Sequence, residues 1–264
     1  MLRILSALVL LPVLLGAIWW SFWTTFALGM VAAALAFVEY ADLAARIGAR
    51  VPKTLSGVAT IGAAAAMAWP GMPGGVLIDV ALLSAVVVIS ATALSASVQS
   101  RPALVEAATS IFPALYLGLP IGAIVSLRDV PGTDALLLLV AVVILSDTGQ
   151  YYTGRLFGRR PLAPLISPSK TVEGAIGGVV AGAAAALLIG RWWLPAVAPL
   201  PRALLGATVA AAGIAGDLFE SQLKRSAGVK DSSSLIPGHG GILDRIDSWL
   251  FAGPMYYVLV RYIL

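Results

Sequence analysis

The residues best suited to chemistry in this chain are two pairs of carboxylates, each spaced three positions apart. Asp217 and Glu220 form the first pair, and Asp244 and Asp247 form the second. Positions i and i+3 of a helix share one face, so each pair directs two carboxylates the same way. If the two segments meet, the carboxylates repel one another and require raised pKa values or a bound cation. Mg²⁺ fits such a site, because it takes oxygen ligands and keeps bonds to water and substrate phosphates.

Other roles are open to three of the nearby carboxylates. Asp244 and Asp247 can instead complement the N-terminal dipole of a helix, paired with Arg245. Asp147 is a further metal ligand, a hydrogen-bond partner for a substrate, or the ion-pair partner of Arg155. The set as a whole favours a metal site over purely structural roles.

Basic, hydroxyl and glycine residues between the two pairs suit an anionic ligand. The polar side chains are those of Ser221, Lys224, Arg225 and Lys230. They precede the run Pro237-Gly238-His239-Gly240-Gly241, in which glycines let backbone N–H groups approach a phosphate closely. The only histidine, His239, stands between two of these glycines and is a catalytic candidate. The basic residues also act as topology signals and as contacts for anionic lipid.

A second candidate for phosphate binding is the run Ser167-Pro168-Ser169-Lys170-Thr171. It precedes a predicted helix, and the free N–H groups of a helix start, together with hydroxyls, can bind phosphate oxygens. Ordinary helix capping, with a proline near the first helical position, accounts for the same pattern. The two roles are compatible.

Composition excludes several classes of protein and of site. Only 11% of the residues are charged and 59% are hydrophobic, whereas a soluble domain has about 25% charged residues. The chain therefore needs lipid as its main solvent. It has 0 Cys and 1 His, which excludes disulfides, thiol nucleophiles and the paired imidazoles of a zinc protease. With no nucleotide-binding glycine loop of the common kinds, the residues favour phosphoryl or nucleotidyl transfer at a membrane surface.

The apolar runs predict an all-α, polytopic helical bundle with about nine transmembrane helices. A span needs roughly 20 mostly apolar residues, and the candidates are 4–20, 22–38, 54–70, 76–97, 103–126, 134–152, 172–194, 203–220 and 242–262. Most of the 17 basic residues then fall on one side, which the positive-inside rule makes cytoplasmic. The N-terminus is therefore expected in the cytoplasm. The basic face suits anionic lipid or phosphate and gives no argument for nucleic acid.

The C-terminal motifs resemble those of the phosphatidate cytidylyltransferase family, also called CDP-diacylglycerol synthase. The family pattern is matched at every fixed position by Ser221-Gln222-Leu223-Lys224-Arg225, by Lys230-Asp231, and by the run from Pro237 to Asp247. Upstream, the segments 146–158 and 167–174 are similar to a second family block. Gln150 departs from that block, where a small residue is usual.

The resemblance implies that CTP and phosphatidate give CDP-diacylglycerol and pyrophosphate in phospholipid biosynthesis. It also implies Mg²⁺ with a second cation (K⁺ or another Mg²⁺) and a homodimer. The distribution of basic residues puts the active site on the cytoplasmic side, and the size and compactness of the chain favour a bacterial inner membrane. Residues 1–133 are expected to form the scaffold and lipid access, and 134–264 the catalytic region with cytoplasmic loops 153–171 and 221–241.

The candidate site residues follow from both arguments. The expected metal ligands are Asp217, Asp244, Asp247 and Glu220. The expected catalytic residues are Asp217, Asp244, Asp247, His239 and Lys224. The expected substrate-binding residues are Ser167, Lys170, Thr171, Ser221, Arg225, Lys230, Asp147 and Arg155. Two other functions are open: a CTP-dependent polyprenol or phytol kinase of the same superfamily, and an ion-coupled transporter that uses its carboxylates as an ion pathway.

Overall fold

The structure is a computed structural model that describes residues 2–70, 81–87, 89, 103–236, 238 and 240–263. The predicted span at 76–97 lies largely outside these residues, and so does the catalytic candidate His239. The helices of the N-terminal half are α1 (Leu2–Trp20), α2 (Phe22–Arg46), α3 (Lys53–Ala68), α4 (Ala103–Pro113) and α5 (Leu119–Ser126), with a π-helical turn, Ala114–Gly118, joining the last two.

The C-terminal half is also mainly helical. Its elements are α6 (Thr133–Phe157), β1 (Pro161–Ala163), β2 (Ser167–Thr171), α7 (Val172–Trp193), α8 (Pro199–Ser226), α9 (Leu243–Ile246), α10 (Trp249–Val258) and a π-helical end, Leu259–Ile263. The two strands form an antiparallel hairpin. This small hairpin is the one departure from the all-α prediction in the described part of the chain.

The prediction of an integral membrane protein built from helices is confirmed. In the described part of the chain, five helices are long and apolar enough to cross a membrane: Phe22–Arg46, Leu104–Ser126, Thr133–Phe157, Val172–Trp193 and Pro199–Ser226. The predicted count of about nine is not confirmed by the described residues.

Two predicted boundaries need correction. The span predicted to end at 38 continues as α2 to Arg46, because the residues after Val38 are mostly alanine, leucine and other good helix formers. The span predicted over 242–262 is not one helix. It divides at Asp247 and Ser248, which lie in a turn between α9 and α10.

The chain divides into two compact units. The first comprises Met1–Ser126 with Ser226–Arg245, and the second comprises Leu127–Arg225 with Ile246–Leu264. The sequence-based division at residue 133 did not assign the segment 226–245 to the N-terminal part. Within the first unit, α3 packs closely on α5: a Cβ added to Gly122 would lie 2.5 Å from the carbonyl oxygen of Ala64.

Small residues also bring the helices of the second unit together. A Cβ at Gly149 on α6 would lie 3.0 Å from the carbonyl oxygen of Gly177 on α7. A Cβ at Gly182 on α7 would lie 3.0 Å from the carbonyl oxygen of Gly206 on α8. Small residues at helix interfaces permit such backbone approach in lipid, where packing rather than water exclusion drives association. The resulting three-helix core positions the polar residues described next.

Candidate active site

Four carboxylates and two lysines of the second unit form a connected group of charges. We call it the lysine–carboxylate cluster, and its members are Asp147, Lys170, Asp217, Glu220, Lys224 and Asp247. They come from α6, β2, α8 and the turn after α9. All six were candidate site residues on sequence grounds.

Two ion pairs organise the cluster along α8. Lys170 on β2 pairs with Asp217, and Lys224 pairs with Glu220 one turn before it. The side chain of Glu220 is 0% exposed and that of Lys224 is 11% exposed, so this second pair is largely out of solvent. Removing charges from water is costly, and a buried ion is tolerated only with a partner of opposite charge. Lys224 therefore supplies the positive charge that offsets the burial of the Glu220 carboxylate.

Asp247 joins the cluster from the turn between α9 and α10, outside the five candidate spans. Burial raises the pKa of its carboxyl well above the usual value, and the negative charges of Asp217 and Glu220 raise that pKa further. The backbone N–H of Ser248 donates to it at 2.6 Å. A Cβ added to Gly216 would lie 2.6 Å from the carbonyl oxygen of Asp247, so glycine permits this close approach of the turn to α8.

The charges of the cluster favour a bound cation. The cluster has four carboxylates but only two lysine ammonium groups. The negative charges of Asp217 and Glu220 repel that of Asp247, which raises the pKa of Asp247. Carboxylate oxygens are ligands that suit Mg²⁺, so the donor chemistry fits a divalent ion. Within the described residues, no three acidic or histidine side chains already converge as a ligand shell.

The β1–β2 hairpin places Lys170 and closes one end of the cluster. Thr171 caps α7, because its hydroxyl accepts the N–H of Gly174 at 3.1 Å. This is the capping role that the sequence left open beside phosphate binding. Arg225, near the end of α8, donates through Nε to the carbonyl oxygen of Ile166 at 3.3 Å and so ties the helix to the hairpin.

The remaining predicted binding residues have varied surroundings. Ser167 lies half-buried in β2, and Ser221 lies half-buried on α8 after Glu220. Arg155 donates to the hydroxyl of Tyr151 at 3.1 Å. Lys230 is exposed in the loop after α8.

An apolar groove lies between α7 and α8 in the same unit. Its volume is about 410 Å³. The lining includes Val172, Ile176 and Val180 from α7, and Ala211, Ala215 and Leu218 from α8. Leu218 directly follows Asp217, and Val172 lies two residues after Lys170. The groove lining therefore includes residues one and two positions away in sequence from the members of the Lys170–Asp217 ion pair, and its other residues belong mostly to two candidate spans.

Sequence reasoning missed Glu39, a carboxylate of the first unit that accepts four hydrogen bonds. Its side chain belongs to α2 and the residue is 4% exposed. One carboxylate oxygen accepts the hydroxyl of Ser233 at 2.8 Å and the N–H of Ile242 at 2.9 Å. The other accepts the hydroxyl of Ser232 at 2.9 Å and the N–H of Leu243 at 2.8 Å. We call this arrangement the Glu39 clamp.

A signal for Glu39 was present in the sequence. The span was predicted to end at residue 38, which put Glu39 in a loop where a charge needs no explanation. Because α2 continues to Arg46, the carboxylate lies inside an apolar helix. An ionisable residue in such a helix is a candidate functional residue by default.

Asp244 belongs with the clamp in the first unit. One of its oxygens accepts the N–H of Ser232 at 2.9 Å and the N–H of Gly241 at 2.8 Å. The same oxygen lies 2.7 Å from the hydroxyl oxygen of Ser232, whose single proton is shared between Asp244 and Glu39. A Cβ at Gly240 would lie 2.5 Å from this same Asp244 oxygen, and the φ of Gly240 is +76°. The glycines of this loop thus allow a turn in which N–H groups point at protein carboxylates.

Three comparisons of sequence bear on these residues. A family model described as the cytidylyltransferase family matches residues 1–263. A phosphatidate cytidylyltransferase of Helicobacter pylori strain J99 is 37% identical over 186 residues, which are 70% of this chain and 66% of that protein. One from Pseudomonas aeruginosa is 42% identical over 139 residues, 52% of this chain and 51% of that protein.

An Escherichia coli K12 protein named uncharacterized protein YnbB is also similar. It is 43% identical over 131 residues, 50% of this chain and 44% of that protein. The chain thus spans between about two fifths and two thirds of the length of these curated relatives.

Proposed function

The chain belongs to the cytidylyltransferase family, and from this premise we propose that it transfers the cytidylyl group of CTP to phosphatidate. The products are CDP-diacylglycerol and pyrophosphate. The observation that carries the proposal is an apolar groove whose lining residues Val172 and Leu218 lie two and one positions after Lys170 and Asp217 of the lysine–carboxylate cluster. Such a combination accommodates a lipid chain and a charged phosphate side by side. The names of several relatives support the same lipid acceptor.

The reaction proposed is an in-line displacement at the α-phosphorus of CTP. A phosphate oxygen of phosphatidate forms the new P–O bond, and the bond to the β-phosphate oxygen breaks as pyrophosphate leaves. Phosphoryl-transfer chemistry of this kind depends mainly on positioning and on neutralising charge. Lys170 and Lys224 are our candidates for neutralising phosphate oxygens, because they are the two cationic side chains of the cluster.

We assign Mg²⁺ to the carboxylates of the cluster. Asp217 and Asp247 are the proposed ligands, with Glu220 and Asp147 beside them and Asp244 as a further candidate. When bound, the ion would neutralise negative charge on the nucleotide phosphates. The excess of carboxylates over lysines supports this assignment. A second cation, K⁺ or another Mg²⁺, belongs to the same proposal.

We further infer that one acyl chain of the acceptor lies in the groove between α7 and α8. Every residue that lines it is apolar, and two of its members are close in the chain to Lys170 and Asp217. Because α7 and α8 are candidate spans, a lipid can reach the groove from within the bilayer. The phosphate would then lie at the charged end of the groove.

The setting proposed is a bacterial inner membrane with the cluster on the cytoplasmic side. The basic residues of the loops favour that orientation, with the N-terminus in the cytoplasm. CTP would arrive from the cytoplasm, and the enzyme would act as a homodimer. These features extend the proposal and rest on the family resemblance and the charge distribution.

The experiment that tests this function measures which product receives the α-phosphate of CTP and which receives the γ-phosphate. Purified protein in nanodiscs is given Mg²⁺ and CTP labelled at either the α- or the γ-phosphate, with phosphatidate or, in a separate reaction, a polyprenol as the lipid substrate. The proposal expects the α-label in the lipid and the γ-label in pyrophosphate. Transfer of the γ-label to a lipid alcohol, with release of CDP, would instead identify a lipid kinase. No labelled lipid from either substrate would contradict both activities.

A further inference from the structure

Glu39 binds two stretches of chain that lie far from it in sequence. Its two oxygens accept four hydrogen bonds, two from the serine hydroxyls at 232 and 233 and two from the backbone N–H groups of Ile242 and Leu243. Hydrogen bonds to a charged acceptor are about twice as strong as those between neutral groups. The clamp therefore attaches both ends of the intervening loop to α2.

The geometry requires a carboxylate at this position. One oxygen faces the N–H of Ile242 and the other faces the N–H of Leu243. A glutamine has one oxygen and one NH₂ group, so in either orientation its NH₂ meets a backbone N–H. A serine hydroxyl can rotate and become an acceptor, but a backbone N–H cannot. Glutamine thus matches the size of Glu39 and still disrupts the clamp.

The held segment leads directly to two carboxylates. Leu243, whose N–H the clamp binds, is the first residue of α9, and the helix ends at Ile246, immediately before Asp247. Ser232 links the clamp to Asp244, since its hydroxyl oxygen lies 2.9 Å from Glu39 and 2.7 Å from Asp244. Glu39 on α2 therefore holds the segment 232–233 and the start of α9.

We propose that Glu39 is a positioning residue for catalysis: by holding the segments 232–233 and 242–243 it fixes the start of α9, and so the orientations of Asp244 in that helix and of Asp247 just after it. Glu39 touches no substrate in this account. The activity part of the proposal rests on the proposed function, whereas the structural part does not.

The first test is hydrogen exchange of the full-length protein in nanodiscs. Variants Glu39→Gln and Glu39→Asp are compared with Asp42→Asn, a matched control on the same helix whose exposed carboxylate pairs with Lys53. In Glu39→Gln, the peptide containing Ile242 and Leu243 should exchange about tenfold faster or more, because each bond to a charged acceptor contributes at least about 1.4 kcal/mol, a factor of ten. Asp42→Asn should match the wild type. Unchanged exchange in Glu39→Gln overturns the clamp.

The second test separates positioning from general folding. We expect Glu39→Gln to lower kcat about tenfold or more while the KM for phosphatidate stays unchanged, because the acyl groove is built from other elements. Glu39→Asp retains two acceptor oxygens and should recover part of the lost kcat. Faster exchange at Leu243 with a wild-type kcat, or no recovery in Glu39→Asp, contradicts the positioning role.

If Glu39→Gln does not fold, two milder variants test the positioning role of Glu39. Ser232→Ala removes the link to Asp244 as well as one donor, whereas Ser233→Ala removes one donor only. The proposal expects Ser232→Ala to lower kcat more than Ser233→Ala, and equal effects contradict it. If the wild type makes no labelled lipid, the proposed function fails and the exchange result still tests the clamp.

Discussion

The two groups of carboxylates described above are held in opposite ways. In the Glu39 clamp, both oxygens of one carboxylate accept N–H and O–H donors from neutral groups of the protein. In the lysine–carboxylate cluster, the carboxylates face lysines and one another, and Asp247 is opposed by the charges of Asp217 and Glu220. The first arrangement is satisfied internally, and the second has an excess of negative charge.

This difference separates positioning from chemistry. A carboxylate surrounded by fixed donors stabilises a loop, since its hydrogen-bonding capacity is already used. Carboxylates that repel each other gain from a cation or from charged substrates, and such perturbed groups are candidates for active sites. Although Asp244 and Asp247 share a motif and are three residues apart, they belong to different groups by this criterion.

The largest effect is expected from Asp217→Asn. The change keeps the size of the side chain but removes the charge that pairs with Lys170 and that is proposed to hold Mg²⁺. Transfer of the α-label from CTP to lipid should fall about 10²–10³-fold, the usual cost of one electrostatic group in an active site. The rate is obtained from the amount of labelled lipid formed by one fixed time at several enzyme concentrations.

The control for this change is Asp42→Asn, which neutralises an exposed carboxylate. Its activity should equal that of the wild type. Full activity of a folded Asp217→Asn variant would show that the cluster takes no part in the reaction.

The next effect is on stability and comes from Glu220→Gln. The glutamate side chain is 0% exposed, so its loss leaves Lys224 without its buried partner. Breaking a buried pair from one side costs about 3–5 kcal/mol. Thermal unfolding in detergent should show a lower midpoint, and the double variant Glu220→Gln with Lys224→Met should recover part of it. If the double variant is no more stable than Glu220→Gln, the lost stability does not come from leaving Lys224 unpaired, and the prediction is contradicted.

A smaller effect is expected from Ala215→Phe, which fills the groove between α7 and α8. The KM for long-chain phosphatidate should rise about tenfold, as expected when a well-fitting apolar contact of about 1–3 kcal/mol is lost. The KM for CTP should not change. Phosphatidate with very short acyl chains serves as the matched substrate, because it does not need the groove. Equal losses for both lipids would contradict the assignment of the groove.

The smallest effect is expected from Lys53→Ala. Both members of the Lys53–Asp42 ion pair are more than half exposed, at 61% and 56%. Exposed pairs contribute about 0–1 kcal/mol, because water screens them. The unfolding midpoint should therefore shift little, in contrast to the effect at Glu220.

Much of the lysine–carboxylate cluster was predictable from sequence, because local spacing determines it. The i, i+3 relation of Asp217 and Glu220 and the helix start after Thr171 depend on neighbouring residues alone. The family motif added the expectation that Asp247 belongs with them. The apolar composition likewise predicted helices in lipid.

The Glu39 clamp was not predictable in this way. It joins residues that lie about two hundred positions apart, and no periodicity links α2 to the loop before α9. The turn that divides α9 from α10 was also missed, because Ser248 and its apolar neighbours are compatible with a continuous helix. Tertiary contacts therefore decide the separate surroundings of Asp244 and Asp247.

The most direct test of the central claim is binding of a divalent ion to the purified protein with CTP present. Mn²⁺ replaces Mg²⁺, and its electron paramagnetic resonance signal is titrated in the wild type, Asp217→Asn, Asp247→Asn and Glu39→Gln. We predict that both aspartate variants weaken Mn²⁺ binding about tenfold or more. Glu39→Gln should weaken Mn²⁺ binding less than either aspartate variant, because it displaces a ligand and removes none. Wild-type binding in both aspartate variants, or loss of binding only in Glu39→Gln, would contradict the division between a cation-binding cluster and a positioning clamp.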